Sequence, residues 1–83
     1  MKLGDLVVLN PAFYEMIKTN FPKSFKDCTQ HSLFEIVLIH KSPEQIVRIK
    51  PLYDTDIKVL PVLKSAWVMQ ATDAMVVLYG RIS

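Results

Sequence analysis

The fold is decided by residues 33–52, which read LFEIVLIHKSPEQIVRIKPL. The second part of this stretch, Gln45 to Leu52, alternates apolar with charged residues, as a strand with one buried face does. The first part, Leu33 to His40, is largely apolar at odd and even positions alike. Between them, Lys41-Ser42-Pro43-Glu44 has the composition of a tight turn, because proline presets a favoured turn φ. The stretch therefore predicts a β-hairpin.

Two segments lack the alternation of a half-exposed strand, namely Ile36 to Ile39 and Ala74 to Tyr79. A strand that is apolar on both sides has to be covered on both sides. A chain of 83 residues has little material with which to cover a sheet twice. The sequence therefore predicts that part of its apolar β-surface contacts a partner, either another protein or a second copy of the chain.

Composition places the chain among small globular proteins. Its 83 residues are enough for one domain, 1–83, and a hydrophobic content of 51% excludes a disordered chain. Ten Lys and Arg against eight Asp and Glu give a net charge of only +2, a weak basic excess for a nucleic-acid-binding protein. The single cysteine, and the lack of a signal peptide or of a long apolar run, favour the cytoplasm and no membrane association.

The residues before the hairpin predict a strand followed by one short helix. Leu6 to Leu9 is apolar and β-branched at its centre, so it is expected to be the first strand. Asn10 and Pro11 suit the start of a helix, which is expected to run to about Asn20 with its apolar residues at helical spacing. The polar segment from Pro22 to Ser32 is expected to be a surface loop.

The residues after the hairpin predict short strands separated by turns. A turn is expected at Tyr53 to Asp56, then an edge strand or bend from Ile57 to Val62, where Pro61 removes a hydrogen-bond donor. A short strand is expected over Ala66 to Gln70, a turn at Thr72-Asp73, and a last strand over Met75 to Ile82. The predicted class is mainly β, a β-rich α+β chain with five to six strands and one short helix after strand 1, arranged as a small barrel, roll or sandwich.

Two short motifs resemble those of a known family. Lys2 to Leu9, KLGDLVVL, resembles the x-x-Gly-Asp-x-Val-x-Leu opening of SH3-like small β-barrels, including KOW-type and phage-encoded ones. Val62 to Val68, VLKSAWV, is similar to the Ser-x-Trp-Val/Leu element before a late strand of such modules. The resemblance implies an SH3-like barrel or roll that binds a partner and catalyses nothing. It also implies that a phage-encoded modulator or inhibitor of a host protein is a plausible role.

Large apolar side chains are the candidates for a protein contact, because aromatic residues dominate interface energetics. Trp67 fits central packing as well as an interface, and both interpretations stay open. A homodimer is the expected form of self-association. The candidate protein-binding residues are Leu38, Tyr53, Trp67, Met69, Val77 and Tyr79.

The alternative function is nucleic-acid binding through a basic face of the hairpin. Such a face would neutralise phosphates, and Tyr53 could stack on a base. An ordinary solvated strand face explains the same charges, since Val47 and Ile49 alternate with them where a nucleic-acid platform would place aromatics. The candidate residues for this alternative are Lys41, Arg48, Lys50, Lys58 and Lys64.

Cys28 and His31 have the residue types and spacing of a zinc site or of a nucleophile with its base. A structural zinc needs four ligands, and His40 would be only a third. A Cys–His pair would also need oxyanion donors, and none is identifiable. We therefore expect no metal, no cofactor and no enzymatic activity, with Cys28 a loop thiol or a small buried side chain.

Overall fold

The predicted hairpin forms the centre of the sheet. In the computed structural model, residues 2–26, 28–41, 45–52 and 60–82 are described, without the side chains of 81 and 82. Over these residues the sheet is antiparallel, five-stranded, and ordered β4-β3-β2-β1-β5. The two helices are α1 and α2, and the elements in chain order are β1 (Leu6–Leu9), α1 (Tyr14–Asn20), β2 (Phe34–His40), β3 (Ile46–Pro51), β4 (Val62–Lys64), β5 (Val68–Gln70) and α2 (Asp73–Ile82).

A bulge explains why β2 does not alternate. Ile36 pairs with Ile49 of β3, and Leu38 pairs with the adjacent Arg48, so Val37 is an extra residue in β2. A bulge of this kind shifts the side-chain alternation and bends the strand. Before the bulge Ile36 is buried, and after it Leu38 is exposed while Ile39 packs against the core. The apolar run of β2 therefore reflects a bulged strand, and it does not require full cover on both faces.

The first strand lies inside the sheet, between β2 and β5. Val7 pairs with Phe34 of β2 on one side and with Gln70 of β5 on the other. Val8 is buried although it lies outside the main core cluster, so β1 is covered on both faces. Gly4 precedes the strand with φ +86°, a left-handed conformation that glycine adopts without strain. The predicted first strand is confirmed.

The first helix begins three residues later than the sequence indicates. The Asn10 Oδ1 accepts a hydrogen bond from the Ala12 backbone amide at 3.0 Å. This bond closes a turn that precedes the helix. The helix starts at Tyr14 and ends at Asn20, and it buries Tyr14 and Ile17. It is thus an amphipathic helix of about two turns that covers one side of the core.

The segment after α1 is irregular, as predicted, but it is anchored in the interior. Phe25 is fully buried, and its ring lies 6.2 Å from the rings of both Phe21 and Phe34 in edge-to-face geometry. Edge-to-face pairs at this distance add to the free energy of burial. An aromatic cluster therefore anchors the loop to β2, although the loop is mostly polar in sequence.

The core is apolar and lies between the sheet and α1. Among the described residues, no polar or charged side chain is buried. Phe13, Met16 and Trp67 pack at its edge as partly buried side chains. The buried members of the cluster are Val7, Leu9, Tyr14, Ile17, Phe25, Phe34, Ile36, Val47, Ile49, Leu60, Leu63 and Val68.

The last predicted strand is wrong, because Asp73–Ile82 is a helix. Thr72 precedes it, and the Thr72 Oγ1 accepts a hydrogen bond from the Met75 amide at 3.1 Å. This is the geometry of an N-cap residue, which satisfies an amide that the helix itself leaves without a partner. The sequence predicts a turn at Thr72-Asp73, whereas Thr72 caps the helix. Gly80 lies within the helix and does not interrupt a strand.

The remaining elements agree with the sequence in part. A 3-10 turn at Ser65–Trp67 precedes β5, so the strand expected over Ala66 to Gln70 is shorter than predicted. Residues 57–59 of the edge strand or bend predicted for Ile57 to Val62 lie outside the described residues, and of the described half only Val62 is in a strand, β4. The turn predicted for Tyr53 to Asp56, and the turn predicted for Lys41 to Glu44 apart from Lys41, also lie outside the described residues. In the described ranges β4 and β5 are the two edges of the sheet and no pairing joins them, so this sheet is not closed.

Candidate interaction surfaces

Two exposed large apolar side chains lie next to each other on α2. Val77 is 58% exposed and Leu78 is 57% exposed, and they share one side of the helix with the exposed Asp73 and Ala74. Burying two aliphatic side chains of this size is worth about 1.5–3 kcal/mol each when it is complete. We call Asp73, Ala74, Val77 and Leu78 the outer arc of α2.

The opposite side of α2 holds the helix on the domain. Met75, Val76 and Tyr79 are half-buried, at the spacing of one helix face. The Tyr79 ring meets the His31 ring edge to face, with 4.8 Å between centroids. Tyr79 therefore has a contact inside the chain, and Val77 is exposed. The interface role expected for each of them stays a prediction.

A second surface lies on the outer face of β2, β3 and β4. Arg48 is its centre, because Arg48 pairs with Leu38 on one side and with Val62 on the other. Leu38 is 36% exposed and Arg48 is exposed. One row along, Ile46 lies between the exposed His40 and Lys64. We call these seven residues the outer sheet face: Leu38, His40, Ile46, Arg48, Lys50, Val62 and Lys64.

Lys50 is partly neutralised on this face. Its Nζ lies 3.3 Å from the Glu35 Oε1, directly across the β2–β3 pair. Arg48, in contrast, forms no ion pair with an acid of the described residues. Of the basic residues proposed for nucleic-acid binding, Arg48, Lys64 and Lys50 share this face, Lys41 is exposed just beyond β2, and Lys58 lies outside the described residues.

Trp67 occupies a corner between the core and the solvent. It is half-buried, its ring lies 6.4 Å from the Phe13 ring, and the Lys64 Nζ lies 5.7 Å from its centroid. Asn10 fixes this corner, because its backbone N–H donates to the Trp67 carbonyl at 2.8 Å. The tryptophan therefore packs against the core and keeps part of its surface exposed. Met69 is half-buried on β5, opposite Val8, and Tyr53 lies outside the described residues.

Cys28 and His31 serve as structural contacts of the loop after α1. The Cys28 carbonyl accepts hydrogen bonds from the Tyr14 hydroxyl at 3.1 Å and from the Lys18 Nζ at 2.9 Å. His31 is exposed and its ring packs on Tyr79. In ranges 2–26, 28–41, 45–52 and 60–82, no three His, Cys, Asp or Glu side chains come close enough to hold a metal ion.

Sequence reasoning missed Leu78 as an exposed apolar residue. The sequence predicts a strand over Met75 to Ile82, in which Val77 and Tyr79 share a face and Leu78 lies on the other. In the helix, Val77 and Leu78 are on the same side and Tyr79 is turned inward. The available signal was Thr72 followed by Asp73, which is typical of a helix start.

Comparison with known proteins identifies no relative of this chain. No family model matches the chain, and no curated protein or solved structure matches it either. Among the helices of the described residues, none is long and apolar enough to cross a membrane. The surfaces described above are therefore the basis for a functional proposal.

Proposed function

We propose that this protein is a small non-enzymatic binding module that acts through protein–protein contacts made by the outer arc of α2. The partner is another protein or a second copy of the chain. The observation that carries the proposal is the pair Val77 and Leu78, adjacent on a docked helix and both more than half exposed. Adjacent aliphatic residues on an ordered element lose little conformational entropy on binding, so most of the burial contributes to affinity.

We further propose that the fold is an SH3-like barrel. Supporting this, the strands follow one another as an antiparallel meander, and β5 returns to pair with β1. A sheet with this order closes into a barrel when β4 approaches β5. Two features depart from the resemblance. The chain has only two glycines with which to bend its strands, and α1 with its loop is a long insertion after β1.

Site-specific photo-crosslinking in cells that express the protein tests the binding proposal. A photoreactive benzophenone amino acid is placed at Val77 or Leu78, and the matched control carries it at Glu15, an exposed residue of α1. We expect discrete protein adducts, of the chain with itself or with another protein, from positions 77 and 78. Equal labelling from position 15 would contradict the proposal, because the outer arc would then be no more occupied than any exposed site.

A second candidate function is the binding of single-stranded nucleic acid by the outer sheet face. The observation that favours it is Arg48, an exposed guanidinium that has His40 and Lys64 one row away and no acid of the described residues bound to it. Unpaired basic side chains bind phosphates and release counterions. This candidate ranks second because Leu38, Ile46 and Val62 alternate with the charges, and they offer no ring for stacking.

Fluorescence anisotropy with labelled single-stranded RNA and DNA at two salt concentrations tests this candidate. Phosphate binding predicts that affinity falls steeply as salt rises and that Arg48→Ala weakens it. The matched control is Lys26→Ala, which removes an exposed positive charge elsewhere on the chain. Binding that is absent at low salt, or that responds equally to both variants, would eliminate the outer sheet face as the site.

A further inference from the structure

We propose that the occupant of the outer arc of α2 is the same arc of a second copy, packed antiparallel about a two-fold axis. This inference rests on the proposed function, because it requires the arc to be a contact surface. A two-fold contact uses the same patch on both molecules, so the patch has to be complementary to itself. The outer arc, continued along the helix by backbone register to position 81, meets this requirement in its order of acidic, apolar and basic positions.

In line with the outer arc, the helix positions are acidic at 73, apolar in the middle and, by backbone register, basic at 81. At about 100° per residue, positions 73, 74, 77, 78 and 81 fall within roughly 140° of the helix circumference. Asp73 is in the first turn, and Arg81 follows in the last turn on the same side by backbone register. Val77 is four residues from each of them, so the acidic and the basic position are placed symmetrically about position 77 along the helix.

This symmetry favours the antiparallel arrangement over the parallel one. With the two-fold axis at Val77, position 73 of each molecule faces position 81 of the other, so an acidic position meets a basic one twice. A parallel arrangement would place acid near acid and base near base, which is unfavourable. The helix macrodipoles attract each other when the two helices lie side by side antiparallel, and they repel each other when the helices run parallel. Ala74 is small, so it permits a close approach of the two helix backbones.

The short length of α2 limits the affinity of this contact. The ten residues of α2 span about 15 Å, so a contact through this helix alone buries less than the roughly 800 Å² per partner of a standard interface. We therefore expect a weak, reversible dimer with a dissociation constant of roughly 10–1,000 µM. Such a dimer forms when the chain is locally concentrated and leaves the arc available at low concentration.

A mixing experiment with reciprocal charge variants tests the arrangement. Asp73→Lys and Arg81→Glu each place like charges together in the homodimer, whereas one copy of each variant restores two opposite-charge pairs. Sedimentation velocity at matched total concentration should show weak association of either variant alone, and about tenfold tighter association of the mixture. High salt should reduce this difference. A mixture that associates no better than its components would overturn the antiparallel arrangement.

Disulfide trapping provides a second measurement that does not depend on charge. In a Cys28→Ser background, Val77→Cys places two thiols beside the proposed axis, where a disulfide is geometrically possible. Asp73→Cys is the matched control, because its two thiols would be about 12 Å apart along the helices. Selective oxidation of the Val77→Cys chain to a dimer supports the proposal, and equal oxidation of both variants overturns it.

The outcomes separate this inference from the proposed function. If the chain stays monomeric at millimolar concentration while photo-crosslinks from position 77 join it to a different protein, self-pairing is wrong and the binding function stands. If the chain stays monomeric and position 77 gives no adduct above the control, both proposals are wrong.

Discussion

The rings of His31 and Tyr79 meet edge to face with 4.8 Å between their centroids. This contact joins α2 to the loop that follows α1, and it fixes which side of the helix is turned inward. Once Tyr79 faces the domain, helical geometry turns Val77 and Leu78 outward. The exposure of the outer arc is thus a consequence of how the opposite side of α2 is held.

Replacing Tyr79 with Ala should loosen α2 without unfolding the sheet. The ring pair alone contributes about 0.5–1.5 kcal/mol, and its loss raises the fraction of time in which the helix is detached. Hydrogen exchange should therefore accelerate for the amides of α2 and stay slow for those of β2 and β3. The matched control is Val77→Ala, which leaves the contact intact. Equal acceleration in both variants would show that Tyr79 does not anchor the helix.

Replacing Phe25 with Ala should be the most damaging change in the loop. Its side chain is fully buried against Phe21 and Phe34, so truncation leaves a cavity and is expected to cost about 3–5 kcal/mol of unfolding free energy. Urea denaturation measures this loss. The neighbouring Lys26→Ala, at an exposed site of the same loop, should change the free energy by less than about 0.5 kcal/mol. A small effect at Phe25 would mean that the loop is not anchored in the core.

The ion pair between Glu35 and Lys50 should contribute little to stability. The two side chains are 32% and 38% exposed, so water screens the attraction. A double-mutant cycle with Glu35→Ala and Lys50→Ala should give a coupling of about 0.2–1 kcal/mol that shrinks in high salt. A coupling well above this range would indicate that the outer sheet face is less solvated than its exposure implies.

The bulge in β2 makes a clear prediction for substitutions with Glu. Leu38 is exposed beside Arg48, so Leu38→Glu should fold with an unfolding free energy within about 0.5 kcal/mol of the parent. Ile36 is buried before the bulge, so Ile36→Glu should prevent folding, because it places an unpaired carboxylate in the core. Circular dichroism of both proteins checks the prediction. If Leu38→Glu also fails to fold, position 38 is part of the core.

The sequence predicted the elements whose patterns are periodic. The alternation of Val47 and Ile49 with Arg48 and Lys50 defined β3, and its partner β2 followed from the hairpin turn and the apolar run. A β-rich domain built around an antiparallel hairpin could therefore be predicted from these residue patterns. The bulge at Val37 could not, because an apolar run is compatible with a bulged strand and with a strand buried on both faces.

The sequence predicts the wrong element at the candidate site. The residues there prefer a strand, whereas their contacts in the fold stabilise a helix. Val76, Val77 and Tyr79 favour a strand, and Gly80 disfavours a helix. Capping by Thr72 and the packing of Tyr79 on His31 overcome these preferences. Only the first of these signals is local, since His31 is distant in the sequence. Val77 was predicted as a contact residue from a strand, and it is exposed on a helix instead.

Denaturation of Val77→Glu at low micromolar concentration measures whether position 77 lies on a free surface, which protein binding and self-pairing by the outer arc both require. We expect an unfolding free energy within about 0.5 kcal/mol of the parent, since glutamate is a good helix former and remains solvated there. A loss above about 2 kcal/mol would contradict it, since that loss is typical of a charge forced into an apolar interior.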